Sequence, residues 1–149
     1  MEISSYYLAI ILGLTISLLF EIKIGISPGG LIVPSYIALV LDRPAVIINI
    51  FLISILTYLI IHYGLSKIIL IYGKRRFISC VMIALALKFV LSLLYPVIPF
   101  SVFSFNGIGV VASGILANSY FRQGVILTAG SAIFASAVTF LLINALYFF

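Results

Sequence analysis

A chain of 149 residues with 65% hydrophobic side chains and a mean hydropathy of +1.43 does not have the make-up of a water-soluble domain. Its charged fraction is 7%, against about 25% in ordinary globular proteins. Eight lysines and arginines face three acids, a net charge of +5, which suits either an anionic partner or the basic loops that orient a multi-pass membrane protein.

In chain order, uncharged runs at 3–20, 44–66 and 123–149 each approach or exceed the roughly 20 residues a helix needs to cross the hydrocarbon core. The first has no basic stretch before it and no small-residue cleavage site after it, so it is expected to stay as a helix and not be removed as a leader. Residues 77–95 make a fourth long span, interrupted by Lys88. Two further segments, 29–41 and 107–121, are apolar but short for a crossing at about 1.5 Å per residue. Pro28, Gly29, Gly30 and Pro34 open the first, and Gly107, Gly109 and Gly114 the second. Such residues let the backbone leave helical geometry, which lipid tolerates only where protein or a cavity satisfies the freed groups. Tyr95-Pro96 and Pro99 end the fourth helix, leaving 96–106 as an apolar, aromatic outer loop. Cys80 is the only cysteine, which excludes an internal disulfide and a thiolate metal cluster.

The pattern occurs twice. Gly30-Leu-Ile-Val-Pro-Ser-Tyr-Ile-Ala38, with Arg43 beyond it, is echoed by Gly109-Val-Val-Ala-Ser-Gly-Ile-Leu-Ala117, with Arg122 at the matching distance. Ser17-Leu-Leu-Phe20 corresponds to Ser92-Leu-Leu-Tyr95. Ser54-Ile-Leu-Thr57-Tyr-Leu-Ile-Ile61 corresponds to Ser136-Ala-Val-Thr139-Phe-Leu-Leu-Ile143. The expected fold is an all-α integral membrane protein, one membrane domain over 1–149 with internal repeats at about 3–73 and 77–149. Each repeat has two long transmembrane helices and one short Gly/Pro-broken membrane segment.

If the short segments cross, the repeats are inverted, and Lys23, Lys74, Arg75, Arg76 and Arg122 share one side while Arg43 takes the other. If they only dip in, the charges divide evenly. Positive loops belong in the cytoplasm, so six segments in inverted topology are expected, with the Lys74–Arg76 loop inside and both termini outside. Paired interrupted segments of this kind point to a functional centre between the halves.

Each residue that could act also has a plain structural reading. Lys88 falls within a span, where an uncompensated lysine costs about 2.5–3.5 kcal/mol; it contacts an anionic chain or a partner's acid, or it ties down a freed carbonyl. Lys74, Arg75 and Arg76 steer a polyanion or dock an acidic partner, or serve topology alone. Arg122 joins Lys88 as a contributor to a positive path. Gly30, Pro34, Gly109 and Gly114 form the core of the broken-helix motif, and Asn118, opposite Leu39 in the other repeat, is expected to cap broken-helix backbone. Ser54/Thr57 and Ser136/Thr139 read as close-packing faces. His62 stands alone, without metal-ligand spacing.

These residues, in order, resemble a known family over essentially the whole chain. Tyr7-Leu-Ala-Ile-Ile-Leu-Gly13, Gly29-Gly-Leu-Ile-Val-Pro34, Ile55-Leu-Thr57, Tyr63-Gly64 and Tyr72-Gly-Lys-Arg-Arg-Phe77 are followed by Tyr95-Pro96 with Pro99-Phe100, Gly107-Ile-Gly109, Ile115-Leu-Ala-Asn118 and Gln123-Gly124. The set is similar to the PgsC/CapC family, the small membrane subunit of bacterial poly-γ-glutamate synthases that make capsule or secreted polymer. The family opens both short segments with Val-Pro-Gly; here they read Val33-Pro34-Ser35 and Ala112-Ser113-Gly114. Outer-loop acids and an arginine before Gly-Ile-Gly are replaced by Phe100-Ser-Val-Phe-Ser-Phe-Asn106.

The resemblance implies a location in the bacterial cytoplasmic membrane and two partner subunits. One is a Mur-ligase-like amide ligase (PgsB/CapB-like), which would carry the ATP and divalent metal. The other is a membrane-anchored PgsA/CapA-like chain. This chain itself shows no Walker loop and no nucleophile paired with a base, so it is expected to hold no cofactor and no catalytic residue. Its contacts would be with the bilayer, the partners and the polymer, not with nucleic acid. The alternative is an autonomous inverted-repeat transporter of the same architecture, although no acid lies at membrane depth to couple protons.

Overall fold

The computed structural model describes residues 3–94 and 107–149. The expected outer loop at 96–106 and the Tyr95-Pro96 helix end lie outside them. Helix α1 (Ile3–Ile24) runs four residues past the uncharged stretch and closes with Gly25 N–H donating to Glu21 O at 2.9 Å. Irregular backbone follows, then α2 (Ile32–Leu39), a helix of only 8 residues. Pro34 is its third residue, where the missing N–H would have had no helical partner. After a turn closed by Arg43 N–H on Val40 O (2.9 Å), Pro44 begins α3 (Pro44–Ile60) at the helical position proline favours.

The chain continues through a π-helical turn (Ile61–Leu65) into the short α4 (Ser66–Ile68), so that Pro44–Ile68 forms one rod of 25 residues. Helix α5 (Lys74–Leu94) starts three residues before the predicted span. Lys74, Arg75 and Arg76 therefore belong to its first turn and not to a loop. Helix α6 (Gly107–Gln123) corrects a second expectation: it is continuous over 17 residues. The segment has no proline, and glycine weakens a helix by about 1 kcal/mol without removing a hydrogen-bond donor. Gly124 alone separates α6 from α7 (Val125–Phe148). Its φ of 92° lets the chain reverse in one residue, a conformation an L side chain resists.

α1, the Pro44–Ile68 rod, α5 and α7 are long and apolar enough to cross a membrane. The protein is an all-helical membrane protein. Packing follows a simple exchange. α1 lies on α2 and α5 lies on α6, while the third helix of each half crosses over: α7 packs on α1 and α2, and α3 on α5 and α6.

The apolar core, formed by Val33, Ile37, Val46, Ile50, Ala112, Leu116, Tyr120 and Ala132, gathers around the two inner helices α2 and α6. In lipid, helices associate through close approach and polar contacts, since burial from water is not available to drive them together. Both devices are present. A Cβ at Gly13 would stand 2.6 Å from Ser35 Cα, and one at Gly114 would stand 2.8 Å from Val81 Cα. Ser35 and Gly114 occupy the same repeat position, so each inner helix meets its outer neighbour at the equivalent point. Ser54, Thr57, Ser136 and Thr139 are all buried on the faces of α3 and α7, as their spacing predicts. Each bonds a carbonyl of its own helix (2.7–2.8 Å), and Ser54 also shares a 3.0 Å hydrogen bond with Tyr120 Oη.

Candidate functional site

Irregular backbone at 25–31 creates the first special feature. Gly29 and Gly30 take φ of 80° and 89°, and three side chains meet the polar groups this frees. Ser17 Oγ donates to Gly30 O (3.2 Å), and Gly30 N–H donates to Ser27 Oγ (3.1 Å). Gln123 clasps the main chain of Ser27 twice, accepting from its N–H at Oε1 (3.1 Å) and donating from Nε2 to its O (3.3 Å). The lead-in to α2 is thereby fixed to the end of α6. A Cβ on Gly30 would lie 3.0 Å from Ile115, and one on Gly29 would strike Leu116. Gly30 thus meets α6, whereas buried Gly114 faces Val81 on α5. Pro34 and Gly109 are buried within α2 and α6.

The same end of the bundle carries the charge. The Gln123–Ser27 clasp and the contacts of Arg76 with α6 bring together the end of α1, the π turn with the short α4 that continues it, the start of α5 and the end of α6. Apart from Arg43 and Lys88, all of the eight lysines and arginines lie on these pieces: Lys23, Lys67, Lys74, Arg75, Arg76 and Arg122. Lys74, Arg75 and Arg122 are exposed. Lys88 is half-buried and lies towards the opposite end of α5, six residues before its terminus.

Arg76 is different from its neighbours. It is half-buried, its Nε donates to Asn118 Oδ1 at 3.2 Å, and its guanidinium carbon sits 5.4 Å from the centre of the Phe121 ring. Such a contact combines cation–π attraction with orientation of the planar group. Asn118 therefore holds an arginine and does not cap a broken helix, because α6 is not broken there. Beneath Phe121 lies Tyr58, with ring centres 4.6 Å apart. Tyr58 stacks on His62 (5.6 Å, planes 11° apart) and meets Tyr120 edge-on (6.0 Å). His62 stands in the π turn, 6.2 Å from Phe121; such turns are frequent at functional sites.

The structure thus unites Arg76 and Asn118, adds Tyr58, His62 and Phe121, and leaves Lys88 apart. Helical spacing along the Pro44–Ile68 rod gives the Tyr58–His62 neighbourhood (i, i+4), but nothing local links either residue to Phe121. Gln123 was visible only as part of a motif, with no sign that it reaches a chain segment 96 residues earlier.

At the other end, a cavity of about 50 Å³ lies among α1, α2 and α7, lined by Ala9, Ala38, Leu39, Phe140, Ile143, Asn144 and Tyr147. By repeat position, Leu39 matches Asn118, Phe140 matches Tyr58, and Asn144 matches His62. By that sequence correspondence the notch takes the position that Asn118, Tyr58 and His62 take at the basic end.

A family model described as capsule biosynthesis CapC matches residues 12–129. The chain belongs to the CapC family. It is 44% identical over 146 residues to the capsule biosynthesis protein CapC of Bacillus anthracis, covering 98% of each chain. It is 42% identical over 144 residues to the PGA biosynthesis protein CapC of Bacillus subtilis (strain 168), covering 97% of each. No solved structure matches it. The family match spans both inner helices and the whole arginine cluster, so the geometry above belongs to the part of the chain that makes it a CapC protein.

Proposed function

We propose that this CapC protein is the non-catalytic membrane subunit of a poly-γ-glutamate synthase, in which it holds the ATP-dependent amide ligase at the cytoplasmic face of the bacterial inner membrane. Near-full-length similarity to two CapC proteins named for capsule and PGA biosynthesis supports the pathway. The observation that carries the anchoring role is the crowding of six cations onto one end of the bundle, one of them an arginine held by Asn118. Basic ends face the cytoplasm, where a ligase and its ATP reside. The convergence of the α1 end and the α5 start on this face supports two inverted halves. Glu21 and Asp42 flank the spans near opposite ends, Glu2 lies outside the described residues, and no other acid exists to bind a divalent metal; ATP and metal belong on the Mur-ligase-like partner. A PgsA/CapA-like membrane-anchored chain completes the assembly, and the polymer passes along this subunit.

The test is co-purification. The tagged chain, extracted gently from its native membrane, is expected to bring down a ligase with glutamate-dependent ATP turnover. A monodisperse chain recovered alone, taking up solute in vesicles, would replace this reading with an autonomous transporter.

A further inference from the structure

Arg76 is held from one side, by Asn118 and the Phe121 ring. A guanidinium has five N–H donors. Asn118 occupies the Nε–H, and Phe121 covers one face. The four N–H groups of the two terminal nitrogens remain in a fixed plane, the arrangement that matches the two oxygens of one carboxylate. Exposed lysines and arginines beside it, Lys74, Arg75 and Arg122, attract anions without orienting them.

Packing alone does not require this arrangement. The repeat-equivalent place on the other side of the molecule is filled by Leu39 and Phe140 where this one has Asn118 and Tyr58, and it leaves a small cavity where this one has the arginine cluster. The fold therefore accepts apolar residues at these positions. Asn144 and Tyr147 also line that notch, but among the described residues an arginine held by an amide occurs only at the basic end, against the π turn that carries His62.

We propose that Arg76, positioned by Asn118 and Phe121, binds the α-carboxylates of the growing polymer as it leaves the ligase. This rests on the synthase reading above. A γ-linked glutamate chain presents one free carboxylate per residue, so a single planar guanidinium engages one unit at a time while the surrounding cations hold the rest loosely. That division suits a passage, since a site must bind well enough to be entered and weakly enough to be left.

The experiment uses the full chain in nanodiscs of zwitterionic lipid, with a fluorescent poly-γ-glutamate of defined length as probe. Arg76→Lys keeps the charge and loses the bidentate plane; binding should weaken about tenfold, or about 1.4 kcal/mol. Asn118→Leu, the residue of the equivalent position, should fold normally and weaken binding by a similar factor. Lys74→Gln with Arg75→Gln should mainly flatten the salt dependence. Full-strength binding by folded Arg76→Lys and Asn118→Leu chains would overturn the proposal. So would a wild-type chain that, through Arg76, binds inorganic phosphate or the lipid of parallel nanodiscs made with anionic lipid, but not the polymer. Co-purification with the ligase is read separately. If it fails, the synthase reading falls; if it succeeds while both variants bind polymer normally, only the Arg76 site falls.

Discussion

Gly114 and Gln123 show how much single side chains, or their absence, decide here. At Gly114 a Cβ would meet the backbone of Val81 at 2.8 Å, and backbone cannot rotate aside. Gly114→Ala should therefore lower the thermal midpoint of the detergent-solubilised chain, at a cost of about 1–3 kcal/mol for overpacking. Gly130 is the control: nothing lies within 4 Å of its Cβ direction, and Gly130→Ala should be neutral or stabilising by about 0.5–1 kcal/mol. Gln123→Ala leaves the N–H and C=O of buried Ser27 without their partner, which should destabilise by about 1–3 kcal/mol. A cysteine placed at Ile26 would report the same change as faster thiol labelling, against a background in which native Cys80 is buried. The residue-level reading of the sequence succeeded for the small polar pairs on α3 and α7 and misassigned Asn118. Serine and threonine spacing is a property of one helix, whereas the partner of Asn118 lies 42 residues away.

Among the elements, the two inner helices carry the fold. α2 is short because proline and two positive-φ glycines consume the residues before it. α6 is longer because its glycines leave every donor in place. Both were expected as interrupted segments, and only the first is. The coupling between α3 and α6 runs through Ser54 and Tyr120. In a double-mutant cycle of Ser54→Ala and Tyr120→Phe, the interaction energy should come near 0.6 kcal/mol, the average for such bonds in membranes. Additive effects would mean that the Ser54 bond to Phe51 O is the one that matters. α5 fully buries only Cys80 and Ala84, while Ile78, Met82, Phe89 and Leu93 are exposed, which leaves this edge of the bundle open to lipid or to a partner helix.

Across the whole molecule, the arrangement of charge makes a directional prediction. Cysteines replacing Lys23 and Arg43, which flank the first short segment, should label from opposite sides of an oriented membrane in a cysteine-free background, Lys23→Cys from the cytoplasm. Labelling of both from one side would favour short segments that dip in and return. The four long spans were legible in the sequence to within a few residues, since the cost of putting charge in hydrocarbon is local and strong. A repeat is expected from the sequence because Gly30 and Gly109, Arg43 and Arg122, and the Ser/Thr pairs of α3 and α7 recur at nearly constant offsets. Membrane class was thus written in composition alone. Only the tertiary structure decided that the third helix of each half packs on the other half, that Gln123 holds the irregular backbone before α2, and that Arg76, Asn118 and Phe121 form one cluster. Those contacts join residues far apart along the chain, and the energies that select them arise only once the helices are already side by side.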